Sequence, residues 1–444
     1  MTAHRRRLTR RGLLTATAAL AVPALHIPAS AAADRTDRQE LAVVKQLEAA
    51  AHPLFSTAPG GRSSDLAALG DLIGDTPVVG LGEATHGSHE FFTLKHRVFR
   101  YLVEEHGFTA FALEASWTAG LEIDEFLQGG DGDARRVADR ALAGSPWHRE
   151  EFAELIGWMR EHNRRNPHRP VHFLGDDLGL PGLGDRVFRR VLDLVRPGHP
   201  EEAARLTDLY APLRPLDDAL GYFERPLAER LANAELSRRA FELTSSTGDE
   251  WAVQHARVIA DTFAFLTMDR DNPATVSAAE QLRDRAMAHN VLWWQRRTGH
   301  RILLSAHNGH AGYASTLPDL YPVPQGAQLR QALGGRYLAI GTTFDRGAFL
   351  TTEDGAGSDW RPVSVPPAPP GSLEHTLDQV RHRDFYLPLR RLPAPASSWL
   401  ATPHPTYDAG TTFDPKAAAA LAPAAAYDVL IHLHEVAAAR ELRV

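Results

Sequence analysis

The feature that most constrains this chain is a pair of short, wholly apolar runs with a helical stretch between them. Residues 76–82 (TPVVGLG) and 108–114 (FTAFALE) are too short for an amphipathic helix and suit strands buried on both faces. Between them Phe91, Leu94, Val98 and Leu102 recur on one helical face over 89–106, and Gly107 follows as a stop signal. Residues 77–114 therefore read as a compact β-α-β unit with parallel strands and a right-handed crossover.

Further strands are expected at 171–176, 301–306, 337–344 and 427–433, and a helix at 37–51. From 183 to 298 the periodicity is helical without strand runs, as in 250–268 and 277–297. The expected fold is α/β, a mostly parallel central sheet flanked by helices. Its core would come in two parts, 34–182 and 299–444, around an inserted helical subdomain at 183–298. Residues 362–372 read as a Pro-rich connector and 414–426 as a low-complexity linker or short helix.

The first 33 residues follow a different logic. An Arg-rich start, an apolar run from Leu13 to about Leu25, and Ala29-Ser30-Ala31 have the layout of a cleaved signal peptide. Thr9-Arg10-Arg11-Gly12-Leu13-Leu14 matches the twin-arginine type, which exports folded proteins, so the expected location is secreted or in the cell envelope. No later run reaches the length of a membrane span, so membrane contact is expected only during export. The chain has no cysteine, which excludes disulfides, thiol nucleophiles and thiolate metal sites. A formal charge of −7 over 444 residues does not favour nucleic acid as a partner.

Chemistry-bearing side chains gather where the expected strands end. Glu83 and His86 follow the first, Glu114 ends the second, Asp176 and Asp177 end the third, and His307 and His310 follow the fourth. In an open parallel sheet, ligands bind beyond the carboxyl ends of the strands, so these groups would converge on one crevice. Gly82 and Gly87 would let the first turn close tightly. Glu114, at the end of an apolar strand, needs a partner because an unpaired buried carboxylate is costly. His89 and His96 have only their proximity to single them out. Arg283 and Asp284 would pair with the core or line the cleft.

No G-x-S-x-G elbow, H-E-x-x-H helix, phosphate loop or G-x-G-x-x-G turn is present. The remaining carboxylates and imidazoles suit acid–base work on water. A histidine would take the proton, a carboxylate would fix its ring, and Lys95 or a second protonated histidine would stabilise an oxyanion. The same residues are also ligands for a divalent metal.

The stretches 82–117, 283–293, 305–312 and 337–344 resemble the erythromycin esterase family in order and spacing, over about residues 40–440. The resemblance implies an α/β core with a helical subdomain forming one side of a substrate cleft. It also implies hydrolysis of an ester or macrolactone, such as that of a macrolide, by His-activated water, with no covalent serine intermediate and no resident cofactor. Carried over residue by residue, it makes His86 the base, Glu83 and Glu114 its carboxylates, Lys95 the basic group, and His307, with His310 as the second choice, the distant histidine. His310, Asp177 and Arg283 would then contact substrate. The family position matching Lys95 can hold arginine, so lysine is a departure. A metal-dependent hydrolase on the same residues, or a binding protein that kept the crevice, are the alternatives.

Overall fold

The computed structural model describes residues 29–353, 359–416 and 419–444. Most of the expected signal segment, residues 1–28, lies outside the described residues. The first helix spans Ala29–Ala50 and so begins eight residues before the expected 37. By its contacts the chain divides between Leu41 and Ala42, and all that follows concerns Ala42–Val444.

The strands are β1 (His52–Pro53), β2 (Val78–Leu81), β3 (Ala110–Ser116), β4 (His172–Asp177), β5 (Ile302–Ser305) and β6 (Tyr337–Thr351). They continue with β7 (Arg361–Val365), β8 (Phe385–Pro388), β9 (His404–Pro405), β10 (Ala420–Leu421) and β11 (Val429–Val436). Nine of them form one sheet in the order β1-β8-β11-β6-β2-β5-β3-β4, with β7 on the far part of β6, while β9 and β10 pair separately. From β11 to β4 every neighbouring pair is parallel. The antiparallel pairs β1–β8, β8–β11 and β6–β7 sit at the margins. The fold is thus mixed α/β around a mostly parallel sheet.

The apolar runs explain the layering. Every residue of β2, β3 and β5 is buried. Alternate side chains enter opposite cores, with Val78, Ala110, Ala112, Ile302 and Leu304 on one face. Val79, Phe111, Leu113 and Leu303 fill the other. The helix His89–His106 starts and stops as its pattern dictates, with Gly107 at φ 67° as its left-handed cap.

Three details differ from expectation. β2 and β3 are parallel but not adjacent, because β5 lies between them and pairs with both. An apolar strand buried on both faces needs two neighbours, and local pattern does not say which. The Pro-rich 362–372 segment begins as strand β7, where Pro362 is tolerated at a sheet edge. Within 414–426 the expected short helix is Pro423–Ala426, and the difference is the two-residue strand β10 before it.

Among the described residues, 186–298 contain five α-helices, one 3₁₀ turn at Gly221–Glu224, and no strand. These helices share one hydrophobic core with the sheet, since Phe188, Ile259 and Trp294 belong to the same buried cluster as Val78 and Ala110. No helix among the described residues is long and apolar enough to cross a membrane.

Candidate active site

The turn after β2 is pinned on both sides. Asn308 N–H donates to the Glu83 carbonyl at 2.9 Å, and Ala84 N–H donates to the Thr342 hydroxyl at 3.1 Å. A Cβ at Gly82 would collide with Asn308, and one at Gly87 with the backbone of Leu350. Both glycines are therefore explained by close packing rather than by a left-handed backbone.

Glu83 is fully buried and organises one half of the site. Its Oε1 is 2.7 Å from His86 Nδ1, and its Oε2 accepts a hydrogen bond from Lys95 Nζ. Lys95, one turn into the following helix, also donates to the carbonyl of Ala306 at 3.1 Å. Burial alone would raise the Glu83 pKa, but the Lys95 charge and the His86 contact bring it below the ordinary carboxylate range. Burial likewise lowers that of Lys95, against the pull of Glu83. Lys95 lies behind Glu83 and does not line the cavity, so its expected place beside a substrate oxyanion is corrected. His86 Nδ1 faces the carboxylate, and Nε2 has no partner among the described residues.

The other half is assembled from distant segments. Glu114 sits where the β3–β4 register shifts, between Leu113 and Ser116, and such an irregularity re-aims a side chain. Its Oε2 accepts from His307 N–H at 2.7 Å and its Oε1 from Arg283 Nη2 at 3.0 Å. Arg283, on the helix Pro273–Thr298, also grips Asp177 at the end of β4 through Nε (2.9 Å) and Nη2 (2.6 Å). His310 Nδ1 is 2.7 Å from Asp284 Oδ1, and its Nε2 is 3.4 Å from Glu114 Oε1. Burial opposes the charge on His310, yet Glu114 and Asp284 together push its pKa up to about 9. Glu114 is held far below the usual carboxylate range, since His310, His86 and Arg283 outweigh its burial.

His307 links the halves, with its ring centroid 5.0 Å from that of His86. Its Nδ1 accepts from Gly309 N–H at 3.1 Å. Its Nε2 is 2.9 Å from Asp408 Oδ1, but poorly aligned for a hydrogen bond. Burial lowers the His307 pKa, but Asp408 and Glu114 reverse this and raise it. With both nitrogens engaged, His307 is less free than His86 to exchange a proton.

Asp408 was not legible in the sequence. It lies in the irregular segment between β9 and β10, held against the β2 turn by a Thr85–Ala409 bridge. Trp147, whose ring stands edge-on to His86 at 5.4 Å, was also missed. A cavity of about 510 Å³ brings together His86, Glu114, Asp177, Arg283, His307, His310 and Asp408. Leu220, Phe223, Phe265 and Met268 from the helical segment supply an apolar wall. His89 and His96 are not among the lining residues: His89 pairs with Glu151 at 2.5 Å, and His96 packs on Trp158.

Ser145 and Ser315 line the cavity, but neither hydroxyl bonds an imidazole. Among the described residues, the one group of three ligand-type side chains close enough to share a metal is Asp345, Asp378 and His434. None of the three lines the cavity. The carboxylates at His86 and His310 are already committed to Lys95, Arg283 and the imidazoles, so this donor set is not a preformed metal cage.

Fold and cleft together define an α/β protein with a buried imidazole–carboxylate site at the strand ends. The chain belongs to the erythromycin esterase family, whose model matches residues 103–436, and this membership places it among the hydrolases. It is 26% identical to erythromycin esterase type II of Escherichia coli over 311 residues, covering 64% of this chain and 73% of that protein. A crystal structure of a Bacillus cereus protein superposes with a TM-score of 0.82 at 26% identity, covering 91% of this chain and 99% of that one. An erythromycin esterase mutant in its open conformation shares the fold, with a TM-score of 0.64 at 17% identity over 85% of this chain and 95% of that one.

Proposed function

We propose that the protein is an exported hydrolase that cleaves a carboxylic ester or lactone, macrolactones included, with water activated by His86. The observation that carries this reading is the His86 ring itself. Nδ1 faces a buried carboxylate that Lys95 holds ionised, and Nε2 is left without a partner on a cavity-lining ring. This arrangement favours Nε2 as the proton acceptor.

In the proposed step the water oxygen bonds to the carbonyl carbon as its proton passes to His86 Nε2. The carbonyl electron pair moves to oxygen. Glu83 stabilises the imidazolium, and N–H groups of Arg283 and protonated His310 on the cavity wall are the donors offered to the oxyanion. The tetrahedral centre then collapses, the carbon–alkoxy bond breaks, and His86 returns the proton to the leaving oxygen. An acid and an alcohol result. Lys95 acts as a positioning residue for Glu83. Export rests on the Arg10-Arg11 segment and apolar run of the N-terminus.

The test is incubation of metal-free protein with macrolides and simple esters, followed by mass spectrometry. The expected result is a gain of one water by wild type and none by His86→Ala. Turnover that begins only on adding a divalent metal would replace this mechanism by a metal-dependent one. Ligand binding without turnover would identify a binding protein. For export, the expected result is a cleaved chain outside the cytoplasm that is retained inside when Arg10 and Arg11 are both changed to Lys.

A further inference from the structure

A second cavity, of about 500 Å³, lies among four helices and shares no lining residue with the first. Its walls include the indoles of Trp251 and Trp294, whose centroids are 5.9 Å apart at 90°. Trp293 packs against Trp251 at 4.7 Å and itself lines a further hollow of about 420 Å³. The two hollows therefore meet at one indole pair.

Deep in the larger hollow stands His255, 2% exposed. Its Nδ1 accepts the indole N–H of Trp117 at 3.0 Å, so in the neutral ring Nε2 carries the hydrogen. Burial drives the His255 pKa down to about 3, which keeps the ring neutral. Nε2–H has no partner among the described residues. The residue is buried but lines the cavity, so an acceptor on a ligand can meet this free N–H there.

The polar rim narrows the ligand class. Glu125 is paired with Arg186 and Arg190, Asp193 with Arg196, and Asp124 with His172. No rim carboxylate is left to balance an ammonium ion, so the indoles do not form a cage for a cation. Paired charges still offer lone pairs and N–H groups at the edge of an apolar platform. A sugar ring matches this pattern, with a C–H face for the indole and hydroxyls that both donate and accept. A chain of sugars would cross the Trp251–Trp293 ridge from one hollow to the next.

We propose that the Trp251–Trp293–Trp294 surface with His255 is a non-catalytic binding site for a neutral oligosaccharide. It is separated from the catalytic cavity along the shared helix Glu250–Phe265, where His255 and the cavity-lining Phe265 are about 15 Å apart by helical rise.

The experiment is a titration of the full chain with neutral tetrasaccharides of glucose, mannose and galactose in α and β linkages. It is followed by tryptophan fluorescence and calorimetry, with tetramethylammonium as the competing probe. At least one saccharide is expected to bind, and Trp251→Ala is expected to weaken it by ~10-fold or more. Asp193→Ala, at an exposed rim position where folding is not at stake, is expected to weaken it by a smaller factor. His86→Ala is expected to bind as wild type does. Failure of every saccharide to bind at millimolar concentration would overturn the proposal. So would binding of tetramethylammonium alone, or full affinity in both Trp251→Ala and Asp193→Ala.

Discussion

The two halves of the candidate active site are built in opposite ways. Glu83, His86 and Lys95 come from a single turn and the helix after it, within 13 residues of chain. The half around Glu114 gathers Asp177, Arg283, Asp284 and His310 from segments separated by up to 196 residues (114 to 310). In the local half one carboxylate serves one lysine and one imidazole, and Nε2 is left without a partner. In the assembled half almost every charge is spoken for, and Arg283 alone holds two carboxylates. The contrast supports the proposal that proton transfer belongs to the first half and electrostatic support to the second.

Four measurements break or sharpen that contrast. His86→Ala is expected to lower kcat by ~10²–10⁴-fold with little change in Tm, because removing this cavity-lining imidazole leaves the Glu83–Lys95 pair intact. A fall in Tm as large as that from an Arg283 variant would erase the distinction. Arg283→Met is expected to destabilise the fold by about 3–5 kcal/mol, since Glu114 and Asp177 would be left buried without their guanidinium. Urea unfolding measures this, and an unchanged midpoint would show that the assembled half is not an electrostatic support.

The third measurement is pH dependence. The His310 pKa rises from its ordinary 6.5 to about 9 between Glu114 and Asp284, with Arg283 opposing. A folded pKa above the unfolded one gives stability that is complete below pH 6.5 and lost as pH rises through 9. Wild-type Tm is therefore expected to fall across that window more steeply than the Tm of His310→Asn. Equal slopes would mean that His310 is not held protonated. The smallest effect is expected of Asp408→Asn, which removes a partner of His307 but leaves the His86–Glu83 pair in place. Its loss of kcat should stay under the ~10²-fold floor for a proton-transfer group, with the His307-linked limb of the pH profile moving to lower pH.

How much was legible in the sequence follows the same division. The closeness of Glu83, His86 and Lys95 was readable because a strand, a turn and a helix fix their separation through local geometry. The β-α-β pattern and the Gly107 stop were readable for the same reason. Asp408 and Trp147 were not, since each lies outside any periodic segment and reaches the cavity only through the pairing of remote loops. The position of β5 between β2 and β3 was hidden because a strand of three apolar residues and a serine pairs equally well with any buried neighbour. Lys95 was misplaced because its charge and reach were visible, whereas its position behind Glu83 depends on the Ala306 carbonyl, 211 residues away.

The sequence by itself determined the class of fold, the strand ends that carry ionisable groups, and the family. Those properties rest on periodicity and short-range spacing, which survive without knowledge of distant contacts. Only the tertiary structure decided strand order, the pairing of Arg283 with two carboxylates, the partners of His307, and the opening of the Trp251 hollow away from the cavity. Each of these depends on long-range packing, where the energy belongs to pairs of residues that the linear order does not bring together.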